Sequence, residues 1–372
     1  MFSSNLPSGS LKDNHIPQLD GLRFFAIVSV MIAHWLQWRL YNPFLQKFPF
    51  GGGVILFYVL SGFLITRILL TYKKDSSNTQ HAHFLKNFYI RRFLRIFPIY
   101  YGLLILLYMM DYENTRVLSP WLFSYSVNIY QSIYNEYIGC YSHFWSLSVE
   151  EQFYIFWPLL IIFINPRHFF KAIVATIVLS LLSRYIVSVT TANWMAVAYF
   201  PTSCMSFLAL GALLAYFDLH RPEIFKKIAQ PLIAYSGIMI CVLLLFLIRY
   251  TESMKTKEMF DDFLIAVLSV FVVARASING FQFLPKWILE HKFVVYSGKI
   301  SYGLYVYHMF APPLYYYLIP KIGLVVNNRF TECILCYFIT FVVAHFSWII
   351  IEKPINSLKR KFPYEKKSVT GT

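Results

Sequence analysis

The sequence predicts an all-α protein, a polytopic membrane bundle of about ten transmembrane helices. Hydrophobic residues make up 58% of the 372-residue chain and charged residues only 14%, against about 25% charged in a soluble domain. Mean hydropathy is +0.53. Apolar runs long enough to cross a hydrocarbon core about 30 Å thick recur along the chain, and the basic residues crowd into alternate connections. No long polar half interrupts the pattern. It reads as one membrane-embedded unit over residues 18–358, with a polar N-terminal tail (1–17) and a basic C-terminal tail (359–372).

Taken in order, the expected spans are 22–38, 50–71, 97–110, 147–164, 172–188, 200–217, 231–249, 261–279, 294–318 and 330–351. The first lacks both a basic leader and an A-x-A-like cleavage site, so it reads as a retained helix. The second opens on Gly51-Gly52-Gly53 and contains Ser61-Gly62, small residues that let helix backbones approach closely. The glycine run would also free backbone N–H groups for a ligand. The third span is short and follows a basic run; the fourth enters through Phe144-Trp145-Ser146-Leu147-Ser148-Val149-Glu150-Glu151-Gln152. The fifth to eighth follow, the ninth carries a polar stripe, and the tenth ends at Glu352-Lys353-Pro354. Cys333 and Cys336 have redox-motif spacing but sit in an apolar run without His or further Cys, which suits core packing.

Placing the N-terminus in the cytoplasm puts about three times as many basic residues inside as outside, as the positive-inside rule requires. Both termini are then cytoplasmic, and the location is the plasma (inner) membrane. The net charge of +15 becomes a topology signal with some attraction to anionic membrane lipid. It argues against nucleic acid as a partner, because the basic residues flank spans rather than form a soluble patch with aromatic platforms.

Polar side chains within the spans mark where chemistry is to be sought. His34 follows Arg23 by eleven residues, which returns a helix to within about 20° of the same face and separates the two by roughly 16 Å. A histidine at that depth either makes one packing hydrogen bond or faces a reaction path. Arg91 and Arg95 are i, i+4 neighbours suited to bidentate phosphate contact, or else topology anchors. Glu150 and Glu151 either favour the start of their helix electrostatically or reach a buried histidine. Ser301, Tyr305 and His308 fall at i, i+4 and i+7, a stripe that either glues helices or lines a cavity. Glu352 either pairs with Lys353 or locks an arginine. No residue set requires a metal.

In this order, Leu19-Asp20-Gly21-Leu22-Arg23 with His34, Phe57-Tyr58-Val59-Leu60-Ser61-Gly62-Phe63, the Arg91/Arg95 pair, Phe144 to Tyr154, Ser301-Tyr302 to His308 and Glu352-Lys353-Pro354 resemble the acyltransferase 3 family of membrane acyltransferases. The resemblance covers about residues 16–358; only the Gly51–Gly53 and Tyr58 neighbourhood matches loosely. It implies transfer of an acyl group, usually acetyl, from cytoplasmic acyl-CoA to a hydroxyl of an extracytoplasmic glycan or lipid-linked sugar, such as lipopolysaccharide O-antigen or another surface polysaccharide. Arg23, Arg91 and Arg95 would hold the phosphates of acetyl-CoA, with Glu352 at that site. His34 would act as general base or carry the acyl group. Glu150 or Glu151 would orient it, and Trp145, Ser148, Tyr305 and His308 would meet the acceptor. Some relatives carry a further esterase-like domain; the tail after Glu352 leads us to expect a stand-alone member. Two rivals are a flippase for lipid-linked sugars, which would not consume acyl-CoA, and a non-catalytic scaffold.

Overall fold

The computed structural model describes residues 15–37, 47–75, 81–250, 254–324, 326 and 328–364. The polar tail up to residue 14, the end of the first expected span at Trp38, and residues 365–372 of the basic tail lie outside them. Among the described residues all regular structure is helical. The long helices are α1 (Pro17–Ile32), α2 (Gly53–Asp75), α3 (His81–Met110), α4 (Phe144–Phe163), α5 (Phe169–Thr190), α6 (Pro201–His220), α7 (Pro231–Tyr250) and α8 (Met254–Ser277). The pair α9 (Lys292–Lys299) and α10 (Ser301–Tyr307) follows, and then α11 (Arg329–Ser347). Among the described residues, eight segments are long and apolar enough to cross a membrane, and the chain is a multi-pass membrane protein.

Two expected spans depart from that standard for physical reasons. The eighth is a 24-residue helix whose Asp261 and Asp262 lower its apolarity; they pair with Arg249 on α7 and Arg184 on α5. The ninth is not continuous. It breaks at Ile300, and again at a 3₁₀ turn, His308–Phe310, just ahead of Pro312 and Pro313. Neither proline has an N–H, so the helical bonds to the carbonyls of His308 and Met309 cannot form. The third expected span starts sixteen residues too late, because the charges of Lys86, Arg91, Arg92 and Arg95 hide a helix that begins at His81.

The most extensive seam runs between α2 and α6, and it is tight. A Cβ on Gly62 would strike the backbone carbonyl of Leu208, and one on Gly211 would strike that of Val59. Only glycine permits backbones this close. The seam fixes α2, which carries Ser61 and Tyr58, and Phe207 of α6 stacks on Tyr58 (centroids 6.4 Å). Residues 358–361 form a 3₁₀ turn held against α3. The guanidinium of Arg91 donates to the carbonyls of Lys359 (2.9 Å) and Phe362 (3.3 Å) and lies over the Tyr364 ring.

Candidate active site

Among the described residues two π-helical turns interrupt the bundle, and each presents one expected site residue. Ala33–Gln37 carries His34 and Trp348–Glu352 carries Glu352. A π turn inserts an extra residue and swings its side chains out of helical phase, a distortion frequent at functional sites.

His34 is half-buried and its partner is His308. His34 Nδ1 lies 2.9 Å from His308 Nε2, with the rings 5.1 Å apart and nearly parallel. The other nitrogen of the fully buried His308 lies 2.7 Å from the carbonyl oxygen of Tyr305. A carbonyl only accepts, so His308 Nδ1 carries the proton. In the neutral ring Nε2 is then an acceptor, and His34 Nδ1–H must donate to it. This leaves the lone pair of His34 on Nε2. A backbone carbonyl thus sets the tautomer of His34 through an intervening histidine.

A third histidine completes this layer. His143, 2% exposed, stands edge-on to His308 with centroids 4.7 Å apart. Sequence reasoning missed it, although it directly precedes the Phe144-Trp145-Ser146 run. Tyr305 fastens the layer to α4. Its hydroxyl donates to the His143 carbonyl (2.8 Å) and lies 2.5 Å from the Ser146 hydroxyl. Among the described residues, no three or more His, Cys, Asp or Glu side chains are placed to hold a metal ion.

Seven residues along α4 from His143, about 10 Å at helical rise, lies a charged layer. Glu150 faces Ser61 and Tyr154, whose hydroxyls touch, with Arg92 and Arg95 in electrostatic reach. Glu151, 7% exposed, has Glu150 and Arg92 near it. Arg95 is half-buried, lies near Arg23, Arg92 and Glu352, and makes no hydrogen bond or ion pair among the described residues. Arg23 bonds Asp20, which also meets His15 (2.7 Å). Glu352, 4% exposed, lies beside Gly303, where a Cβ would meet its Oε1 at 3.1 Å.

Several expectations need correction. Neither Glu150 nor Glu151 bonds His34; they sit a layer away, among arginines. Arg91 does not share a site with Arg95, because the carbonyls of the C-terminal segment take its guanidinium. Arg92, passed over in the sequence, occupies the charged layer instead, with its ring contacts on Phe88 and Tyr154. Ser148 is fully buried and its hydroxyl returns to the Phe144 carbonyl (3.0 Å), a contact within its own helix. Tyr305 and His308 do come together with His34, while Trp145 stacks on Tyr199 (4.1 Å).

A family profile described as an acyltransferase domain matches residues 16–349. The peptidoglycan O-acetyltransferase OatA of Listeria monocytogenes is 30% identical to this chain over an alignment covering 92% of it and 56% of the relative. The O-acetyltransferase OatA of Staphylococcus aureus is 28% identical, with 92% and 57% covered. The chain spans about half the length of the curated relatives it matches. No solved structure matches it.

Proposed function

The chain belongs to the acyltransferase 3 family, and from that premise we propose that it transfers an acetyl group from acetyl-CoA to a hydroxyl of a surface glycan. The observation that carries the reading is the hydrogen-bonded run from the Tyr305 carbonyl through His308 to His34. Its Nε2 lone pair takes the proton of the acceptor hydroxyl as the oxygen attacks the thioester carbon. The new ester bond forms, the C–S bond breaks, and the imidazolium returns the proton to the departing CoA thiolate. The products are the O-acetylated sugar and CoA.

Arg95, Arg92 and Arg23 take the donor's phosphates from the cytoplasmic side. Arg95 and Arg92 are the best placed, since no carboxylate of the described residues bonds either guanidinium, whereas Asp20 holds Arg23. Glu150, Glu151 and Glu352 offset the buried positive charge when no donor is bound. The distance of about 10 Å between the layers is left for the thioester arm. The protein sits in the plasma (inner) membrane with both termini cytoplasmic, so donor and acceptor arrive from opposite faces. That relatives of the same family are named O-acetyltransferases, one of peptidoglycan, supports a cell-surface sugar as acceptor.

Purified protein in detergent, given radiolabelled acetyl-CoA, should transfer label to a glycan only when the glycan is present. Arg95→Ala should raise the donor KM by roughly ten- to a hundredfold, the loss of one charge-assisted contact. Translocation of a labelled lipid-linked sugar without loss of acetyl-CoA would replace this reading with transport.

A further inference from the structure

Beside the histidine layer, four aromatic rings touch in series from the surface inward. Tyr137 is 52% exposed and its ring lies 6.0 Å from that of Trp194, which is 38% exposed. Trp194 meets Tyr199 edge-on at 5.6 Å, and Tyr199 stacks on Trp145 at 4.1 Å with 21° between planes. Tyr199 and Trp145 are half-buried. Trp145 adjoins Ser146, whose hydroxyl touches Tyr305, and the Tyr305 ring is 5.3 Å from His308. The series therefore ends at the proton relay.

Its polar edges are in place as well. The hydroxyls of Tyr137 and Tyr199 interact, and Tyr199 is within electrostatic reach of Asp262 and Tyr305. Asp262, 32% exposed, is held by the guanidinium of Arg184 at 2.7 Å. The short helix Trp194–Tyr199 is fixed in advance. Asn193 caps it by accepting from the Ala196 N–H (2.9 Å), and its amide donates to the Ser132 carbonyl (2.7 Å) on the helix Val127–Tyr134.

A pyranose ring has an apolar face of C–H groups and a rim of hydroxyls. Flat rings bordered by a carboxylate and phenol hydroxyls match both features, since Tyr and Trp offer an apolar face with a polar handle. We infer that Tyr137, Trp194, Tyr199 and Trp145, with Asp262 at their edge, form a cleft that binds a sugar ring of the acceptor and leads its hydroxyl to His34. An interfacial aromatic belt anchors rings singly at headgroup level; this series turns inward from the surface.

The inference rests on the transfer reaction proposed above, and the test separates the two. With acetyl-CoA saturating and the glycan varied, Trp194→Ala should raise the acceptor KM by about tenfold while leaving kcat and the donor KM near wild type. Trp194→Phe keeps a flat ring and should recover most of that loss. Tyr185→Ala, at an equally exposed tyrosine outside the series, should change neither constant. Absence of transfer by the wild type would fail the parent reading. With the wild type active, an unchanged acceptor KM in Trp194→Ala, or equal losses in the Ala and Phe variants, would overturn the cleft.

Discussion

His34 draws its orientation from an oxygen it never touches. In the serine-protease triad a carboxylate holds the histidine tautomer and stabilises the imidazolium; here the Tyr305 carbonyl does the holding, relayed by His308. The resting pair therefore buries no charge, which suits a histidine among membrane helices. His34→Gln keeps hydrogen-bonding capacity without a basic nitrogen, so its transfer rate should fall by about 10²–10⁴, nearly as far as in His34→Ala, with membrane insertion retained. His308→Phe keeps a ring of similar size against His34 but offers it no acceptor. Its kcat should fall by at least about tenfold with the donor KM unchanged. Steady-state kinetics on both variants decide the point, and full activity in His308→Phe would reduce His308 to packing. Both histidines stood out in the sequence as ionisable groups in apolar runs. Their pairing did not, because they lie 274 residues apart and no periodicity links separate helices. The nearest conspicuous carboxylates, Glu150 and Glu151, drew the orienting role by default.

At the scale of the helix, length and apolarity were legible almost throughout, and the breaks in regular helix fall at candidate site residues. The π turn at Ala33–Gln37 and the break at Ile300 leave no composition signal, whereas Pro312 and Pro313 announce the 3₁₀ turn at His308–Phe310. Beside Ile300 the backbone packs directly on a neighbour, since a Cβ on Gly298 would overlap the Asp20 carbonyl of α1. The α3 helix was half hidden because its arginines face protein and not lipid, and a hydropathy window cannot see what a side chain faces. The α2–α6 seam makes a direct prediction. Gly62→Leu forces the backbones apart, which typically costs about 1–3 kcal/mol, and the thermal midpoint in detergent should fall accordingly. A Cβ on Gly51 meets nothing within 4 Å, so Gly51→Ala should leave the midpoint unchanged. Equal midpoints for all three proteins would show that the seam is not under that constraint.

Over the whole molecule, the proposed topology places the charged layer toward the cytoplasm and the aromatic series toward the outside. Reporter fusions after Thr115 and Asn193 should read outside, and a fusion after Arg221 inside; reversal at any two would invert the assignment of donor and acceptor faces. The glycine seam then acquires a mechanical meaning. Helices whose backbones touch have no slack to slide or rock past one another, so the wall of the site formed by α2 and α6 moves as one body. A carrier must open its two faces in turn and so depends on such sliding. For the proposed transferase, two reactants can meet at a stationary histidine, each reaching in from its own side, and only the acetyl group completes the crossing.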